Sequence, residues 1–119
     1  MKLNHLNLTV TDAAETAAFL EKYFGMRSLE GAPPARSTMA FLTDDNGMIL
    51  TLIRGRRGVP VEYPENFHVG FIQPSEERVN EINRRLKEDG FDVPPPDRLH
   101  GSWTFYFRAP GGFTIEVLG

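Results

Sequence analysis

Apolar and polar positions alternate over residues 3–10 (LNHLNLTV). Leu6, Leu8 and Val10 fall on one side; His5, Asn7 and Thr9 fall on the other. A period of two predicts a half-buried strand with one face on a core and one polar face. The pattern then turns helical. Asp12, with Glu15 three residues later, makes a capping-box-like start. Phe19 with Tyr23, and Leu20 with Phe24, recur at i,i+4 on one buried side. Gly25 is placed to end that helix. A short strand is expected near Met26–Leu29, then the loop Gly31-Ala32-Pro33-Pro34 and a strand over 36–43. Asp44-Asp45-Asn46-Gly47 predicts a hairpin turn into a returning strand at 48–54.

Gly55–Pro64 has no period and reads as a solvated linker, with Arg54, Arg56 and Arg57 as a small basic cluster. The pattern then restarts. Phe67, Val69 and Phe71 alternate with His68, Gly70 and Ile72. Pro74 and Ser75 open a helix whose apolar stripe is Val79, Ile82 and Leu86, and Gly90 stops it. A short strand is expected at Phe91–Val93, then the stiff Pro94-Pro95-Pro96. His100 falls in a loop, and strands follow at 102–108 and 113–118 around the turn Ala109-Pro110-Gly111-Gly112.

The two halves are in register. His5 to His68 and Asp12 to Ser75 are both offset by 63; Gly25 to Gly90 and Gly47 to Gly112 are both offset by 65. Each half reads strand–helix–strand–strand–strand, which makes the chain an internal duplication. The expected organisation is one domain over residues 1–119, with module 1 at 1–54, a linker at 55–64 and module 2 at 65–119. The same register sets Thr51 against Glu116, so four positions correspond: His5, Thr51, His68 and Glu116. Two imidazoles and a carboxylate form a facial set for a divalent ion, with open positions for a substrate.

Composition narrows the chemistry. The formal charge is -3, from 13 basic and 16 acidic residues, which gives no electrostatic footprint for nucleic acid. No apolar run approaches a membrane span, and the amino terminus lacks a signal-peptide pattern, so a cytoplasmic location is expected. There is no cysteine, so a metal must be held by nitrogen and oxygen.

NHLNLTVTD at the start, FHVGF in the middle and FYFRAPGGFTIEVLG at the end resemble the vicinal oxygen chelate superfamily of glyoxalases, bleomycin-resistance proteins and extradiol dioxygenases. The resemblance covers essentially the whole chain. It implies an α+β fold: two tandem βαβββ modules forming a U-shaped mixed sheet around a cavity, with helices outside. It implies metal ligation by His5, His68 and Glu116, and often by a fourth residue at the position of Thr51. It further implies a divalent ion such as Fe, Mn, Zn or Ni, a small-molecule substrate, and a homodimer, in some members with exchanged modules. Glyoxalase I carries an acidic or amide ligand where this chain has Thr51. Threonine is a poor ligand and no general base at neutral pH, which argues against glyoxalase I chemistry.

The expected function is therefore a metal-dependent enzyme that chelates vicinal substrate oxygens: a lyase, a dioxygenase or a transferase. Tyr106 is the candidate donor to a developing oxyanion, and Asn7, on the face of His5, the candidate for a substrate or orienting contact. Thr51, Thr104 and Arg108 are assigned to substrate binding. The alternative is a metal-free small-molecule binding or drug-sequestration protein of the bleomycin-resistance type.

Overall fold

A computed structural model describes all residues, Met1–Gly119. The chain resolves into two compact units, Met1–Tyr63 with Pro110–Gly112, and Pro64–Ala109 with Phe113–Gly119. The architecture is α+β, with one helix and one four-stranded mixed sheet from each half of the chain.

In the first unit, β1 (His5–Val10), β2 (Arg27–Ser28), β3 (Met39–Thr43) and β4 (Ile49–Arg54) form a sheet in the order β1-β4-β3-β2. β1 pairs parallel with β4, and β4 pairs antiparallel with β3. Helix α1 (Ala13–Phe24) packs on β2, β3 and β4. Asp12 Oδ1 accepts from Glu15 N at 2.9 Å, the expected cap, and Gly25 leaves the helix at φ 67°. Leu8, Val10, Leu20, Leu42 and Leu52 are buried between helix and sheet. Full burial of such a side chain stabilises by about 1.5–3 kcal/mol against an extended-chain reference.

The second unit repeats this plan. β5 (His68–Ile72), β6 (Asp97–Leu99), β7 (Ser102–Arg108) and β8 (Thr114–Leu118) are ordered β5-β8-β7-β6, with β5 and β8 parallel. Helix α2 (Glu76–Glu88) is capped by Ser75 and buries the expected stripe of Val79, Ile82 and Leu86 on β7 and β8.

Three local expectations shift. The second strand of module 1 is confined to Arg27–Ser28, and the third starts at Met39 rather than 36. Phe91–Val93 is not a strand; the pairing segment is Asp97–Leu99, beyond the prolines. The backbone leaving α2 is already engaged, since Phe91 N donates to Leu86 O and Asn83 Nδ2 donates to Pro94 O. The prolines have no N–H for a ladder, so pairing begins after them. His100 and Gly101 then form the two-residue turn between Leu99 and Ser102 with φ 54° and 81°. Positive φ at both positions is the type I′ signature, and His100 is an exposed turn residue.

The segment after β4 is ordered against the first unit. Gly55 N donates to Val10 O, and Tyr63 Oη donates to Thr9 O at 2.7 Å. Gly111 is buried there with φ 103°, and a Cβ on it would lie 2.7 Å from Thr16 Oγ1. Only glycine meets both demands.

Candidate metal centre

Strand registers fix which candidate residues share a face. On the second sheet the first cross-strand row is His68, Thr114 and Arg108. The next is Gly70, Glu116 and Tyr106, and the last is Ile72, Leu118 and Thr104. Alternate residues Ile115 and Val117 face the opposite way and are fully buried under α2. His68, Glu116, Tyr106, Thr104 and Arg108 therefore share the face away from the helix.

Glu116 is the centre of this group, with a side chain only 13% exposed. Its Oε1 lies 3.4 Å from His68 Nε2. Its Oε2 accepts from Thr104 Oγ1 at 3.0 Å, and the same hydroxyl lies 2.9 Å from Val117 O. One hydroxyl proton serves one acceptor fully, and the charged carboxylate forms the stronger bond. The Tyr106 ring stands edge-on to the His68 ring at 5.4 Å. Desolvation, with a hydrogen bond to Glu116 and the charge of that carboxylate, pushes the Tyr106 hydroxyl above the usual tyrosine range. It is a neutral donor at physiological pH. Gly70 keeps the opposite flank open: a Cβ there would meet Glu116 Oε1 only at 3.8 Å.

The donor chemistry of this pair fits a cation. His68 Nδ1 lies 3.0 Å from Asn66 O, and a carbonyl oxygen only accepts, so Nδ1 carries the proton. In the neutral ring Nε2 then presents a lone pair to a carboxylate oxygen. Two facing lone pairs need a positive centre, either a second proton on the imidazole or a metal ion. Tying Nδ1 to a backbone carbonyl is also how metal-binding imidazoles are oriented. No sequence signal pointed to Asn66, because any residue type offers that carbonyl.

The first unit holds the other candidates. Asn4, His5, Asn7, Phe41 and Thr51 line a concavity of about 310 Å³. His5 Nδ1 contacts Asn4 Oδ1 at 3.0 Å, so its Nε2 is the ring nitrogen left out of that contact. Asn7 pairs across to Thr51, and Thr51 to Phe41. Thr51 is 5% exposed. The predicted residues thus gather as two groups: His68, Glu116, Tyr106, Thr104 and Arg108 in one unit, and His5, Asn7 and Thr51 in the other. Within either unit, no group of three or more His, Asp or Glu side chains is placed to hold a metal ion.

A possible glyoxalase from Bacillus cereus superposes with a TM-score of 0.86 at 51% identity, over 100% of this chain and 99% of that one. The glutathione transferase FosA of Serratia marcescens is 29% identical over 117 residues, 97% of this chain and 78% of the relative. A variant of FosX, a fosfomycin resistance protein of Listeria monocytogenes, was solved with Mn(II) and 1S,2S-dihydroxypropylphosphonic acid; it shares the fold with a TM-score of 0.77 at 23% identity, over 99% and 91% of the two chains. The family model of the Glyoxalase/Bleomycin resistance protein/Dioxygenase superfamily matches residues 2–117, and the chain belongs to that superfamily.

Proposed function

We propose that the protein is a metal-dependent enzyme acting on a small molecule with vicinal oxygens. The observation that carries the reading is the His68–Glu116 pair. One imidazole nitrogen is fixed by Asn66 O, the other faces a nearly buried carboxylate at 3.4 Å, and Thr104 holds the second carboxylate oxygen. His68, Glu116 and His5 would hold the ion. A divalent ion in such a set of N and O ligands supplies Lewis-acid polarisation of chelated substrate oxygens.

The remaining roles belong to the chain's own residues. Tyr106 keeps its proton and offers it to a substrate oxygen beside Glu116, as a donor that stabilises developing negative charge. Thr104 keeps the carboxylate from rotating. Gly70 leaves room for substrate beside it. Arg108, exposed at the His68 end of the same face, supplies a permanent cation for an anionic substituent. Asn7 and Thr51 contribute neutral hydrogen-bonding groups on the face of His5. An amide and a buried hydroxyl do not abstract protons at neutral pH. Among lyase, dioxygenase and transferase chemistries, those in which the substrate supplies its own acidic group fit this residue set best.

His5 lies in one unit and His68 and Glu116 in the other, and the proposal includes a homodimer in which a second copy completes the site. The test is metal content after equilibrium dialysis of wild type, His5→Ala, His68→Ala and an equimolar refolded mixture of the two variants. Stoichiometric metal in the wild type, none in either variant, and recovery of about a quarter of the sites in the mixture are expected for a shared site in random dimers. No recovery would place the ligands within one chain. Wild-type protein that holds no stoichiometric metal would overturn the enzyme reading in favour of a metal-free binding protein.

A further inference from the structure

The first unit carries a second concavity, of about 350 Å³, and its chemistry differs from the His5 face. Its lining includes Thr11, Arg54, Arg56, Arg57, Val59 and Val61. Three arginines are among its lining residues on a chain whose formal charge is -3. Arg54 Nη1 donates to Arg36 O at 3.2 Å, while no carboxylate pairs with Arg54, Arg56 or Arg57. Like charges held together without counter-ions repel, and an anion placed among them relieves that repulsion.

The cluster is displayed by ordered backbone. Val59 N donates to Arg56 O at 3.1 Å, closing a turn whose third residue, Gly58, has φ 78°. A positive φ at that position is the type II requirement. The turn fixes where Arg56 and Arg57 leave the backbone. On one side Gly55 N is tied to Val10 O, and Gly55 is packed so closely that a Cβ would lie 3.2 Å from Val61 Cγ2. On the other side Tyr63 is anchored to Thr9 O. Arg54 pairs with Val10 at the far end of β1 from His5, and five residues of strand separate the two levels by roughly 16 Å.

We infer that this concavity is a binding site for a small phosphate monoester or phosphonate, separate from the His5 face. Guanidinium groups match the geometry of a phosphoryl group and stay charged at every relevant pH. Thr11 adds a hydroxyl, and Val59 and Val61 provide an apolar wall for the organic part of the ligand. That wall favours an ester over inorganic phosphate.

The test is calorimetric titration with phenyl phosphate and with inorganic phosphate, at constant ionic strength in chloride and with chelator present. Chelation keeps any metal-held phosphate out of the measurement. Phenyl phosphate is expected to bind more tightly than inorganic phosphate. The double substitution Arg56→Gln/Arg57→Gln is expected to weaken it by about tenfold or more, and Arg84→Gln on α2 is expected to leave it unchanged. Equal loss in the double variant and in Arg84→Gln would show charge screening alone and overturn the site. Unchanged binding in the double variant would overturn it as well, and equal affinity for the two phosphates would overturn the preference for an ester. His68→Ala alters metal content but not this titration, so the two proposals fail separately.

Discussion

The two sheets have the same registers and different chemistry. Asn7, Thr51 and Phe41 form one cross-strand row of the first; Gly70, Glu116 and Tyr106 form the corresponding row of the second. One row further along, Met39 in the first sheet corresponds to Thr104 in the second. The difference is coordinated. Where the central residue is a nearly buried carboxylate, its neighbours carry a hydroxyl, a phenol and an imidazole. Where it is Thr51, the imidazole of His5 and the amide of Asn7 remain on the face, but methionine and phenylalanine stand in place of the hydroxyl and the phenol. A buried charge is costly unless it is hydrogen-bonded and paired, so Glu116 is tied to its neighbours in a way that Thr51 is not. The duplicated backbone sets the positions, and the carboxylate decides what must surround it.

The strongest way to break the comparison is to remove the pair proposed to hold the metal. His68→Ala or Glu116→Gln is expected to lower divalent-ion affinity by more than about 100-fold, beyond what loss of an orienting partner alone costs. Thr51→Ala is expected to leave affinity nearly unchanged. Titration with Mn(II), with circular dichroism to verify folding, checks both. Equal losses at Thr51 and Glu116 would mean that the two positions share one role.

Transplanting the acid is the next test. Thr51→Glu places a carboxylate on the face of His5 without the hydroxyl and phenol that surround Glu116, and is expected to destabilise by about 1–3 kcal/mol. Adding Phe41→Tyr and Met39→Thr, the residues found around Glu116, is expected to recover about 1–3 kcal/mol of that loss. Urea unfolding of the single and triple variants measures it. A triple variant no more stable than the single one would refute the coordination of the row.

Smaller effects follow on the second sheet itself. Thr104→Val removes the hydroxyl beside Glu116 Oε2 and Val117 O, with an expected cost of about 1–3 kcal/mol in the same assay. Met39→Val, at the corresponding position, removes no such bond, and its expected change is confined to packing. The smallest effect is alkaline. Burial raises the hydroxyl of Tyr63, and burial with Glu116 raises that of Tyr106. Below the unfolded value, about 10, both states are protonated and the contribution is constant. Above it the unfolded chain ionises first, so stability falls as pH rises towards the folded values. Tyr106→Phe and Tyr63→Phe should each flatten part of that decline in unfolding curves taken between about pH 9 and pH 11.

Much of this was legible in the chain alone. Alternation placed His5 and His68 on polar faces, and the capping residues Asp12 and Ser75 marked both helix starts. The 63 and 65 offsets anticipated the strand registers that set Thr51 level with Glu116. These features are encoded over a few residues, by side-chain period and by backbone preference at caps and turns, and they survive without knowledge of the fold. Phe91–Val93 has strand-like composition but pairs with no strand, because the bonds at that stretch and at Pro94 beyond it come from α2.

What tertiary structure alone decided lies in contacts between distant or featureless groups. Thr104 reaches Glu116 only through the register of β7 on β8. His68 is oriented by a main-chain carbonyl that no side chain announces. The aperiodic residues after β4 became a fixed turn around a concavity because Tyr63 and Gly55 anchor them to β1. Local pattern specifies elements and the faces they present. Which groups then meet at hydrogen-bonding distance depends on non-local pairing and close packing, and those are properties of the folded chain.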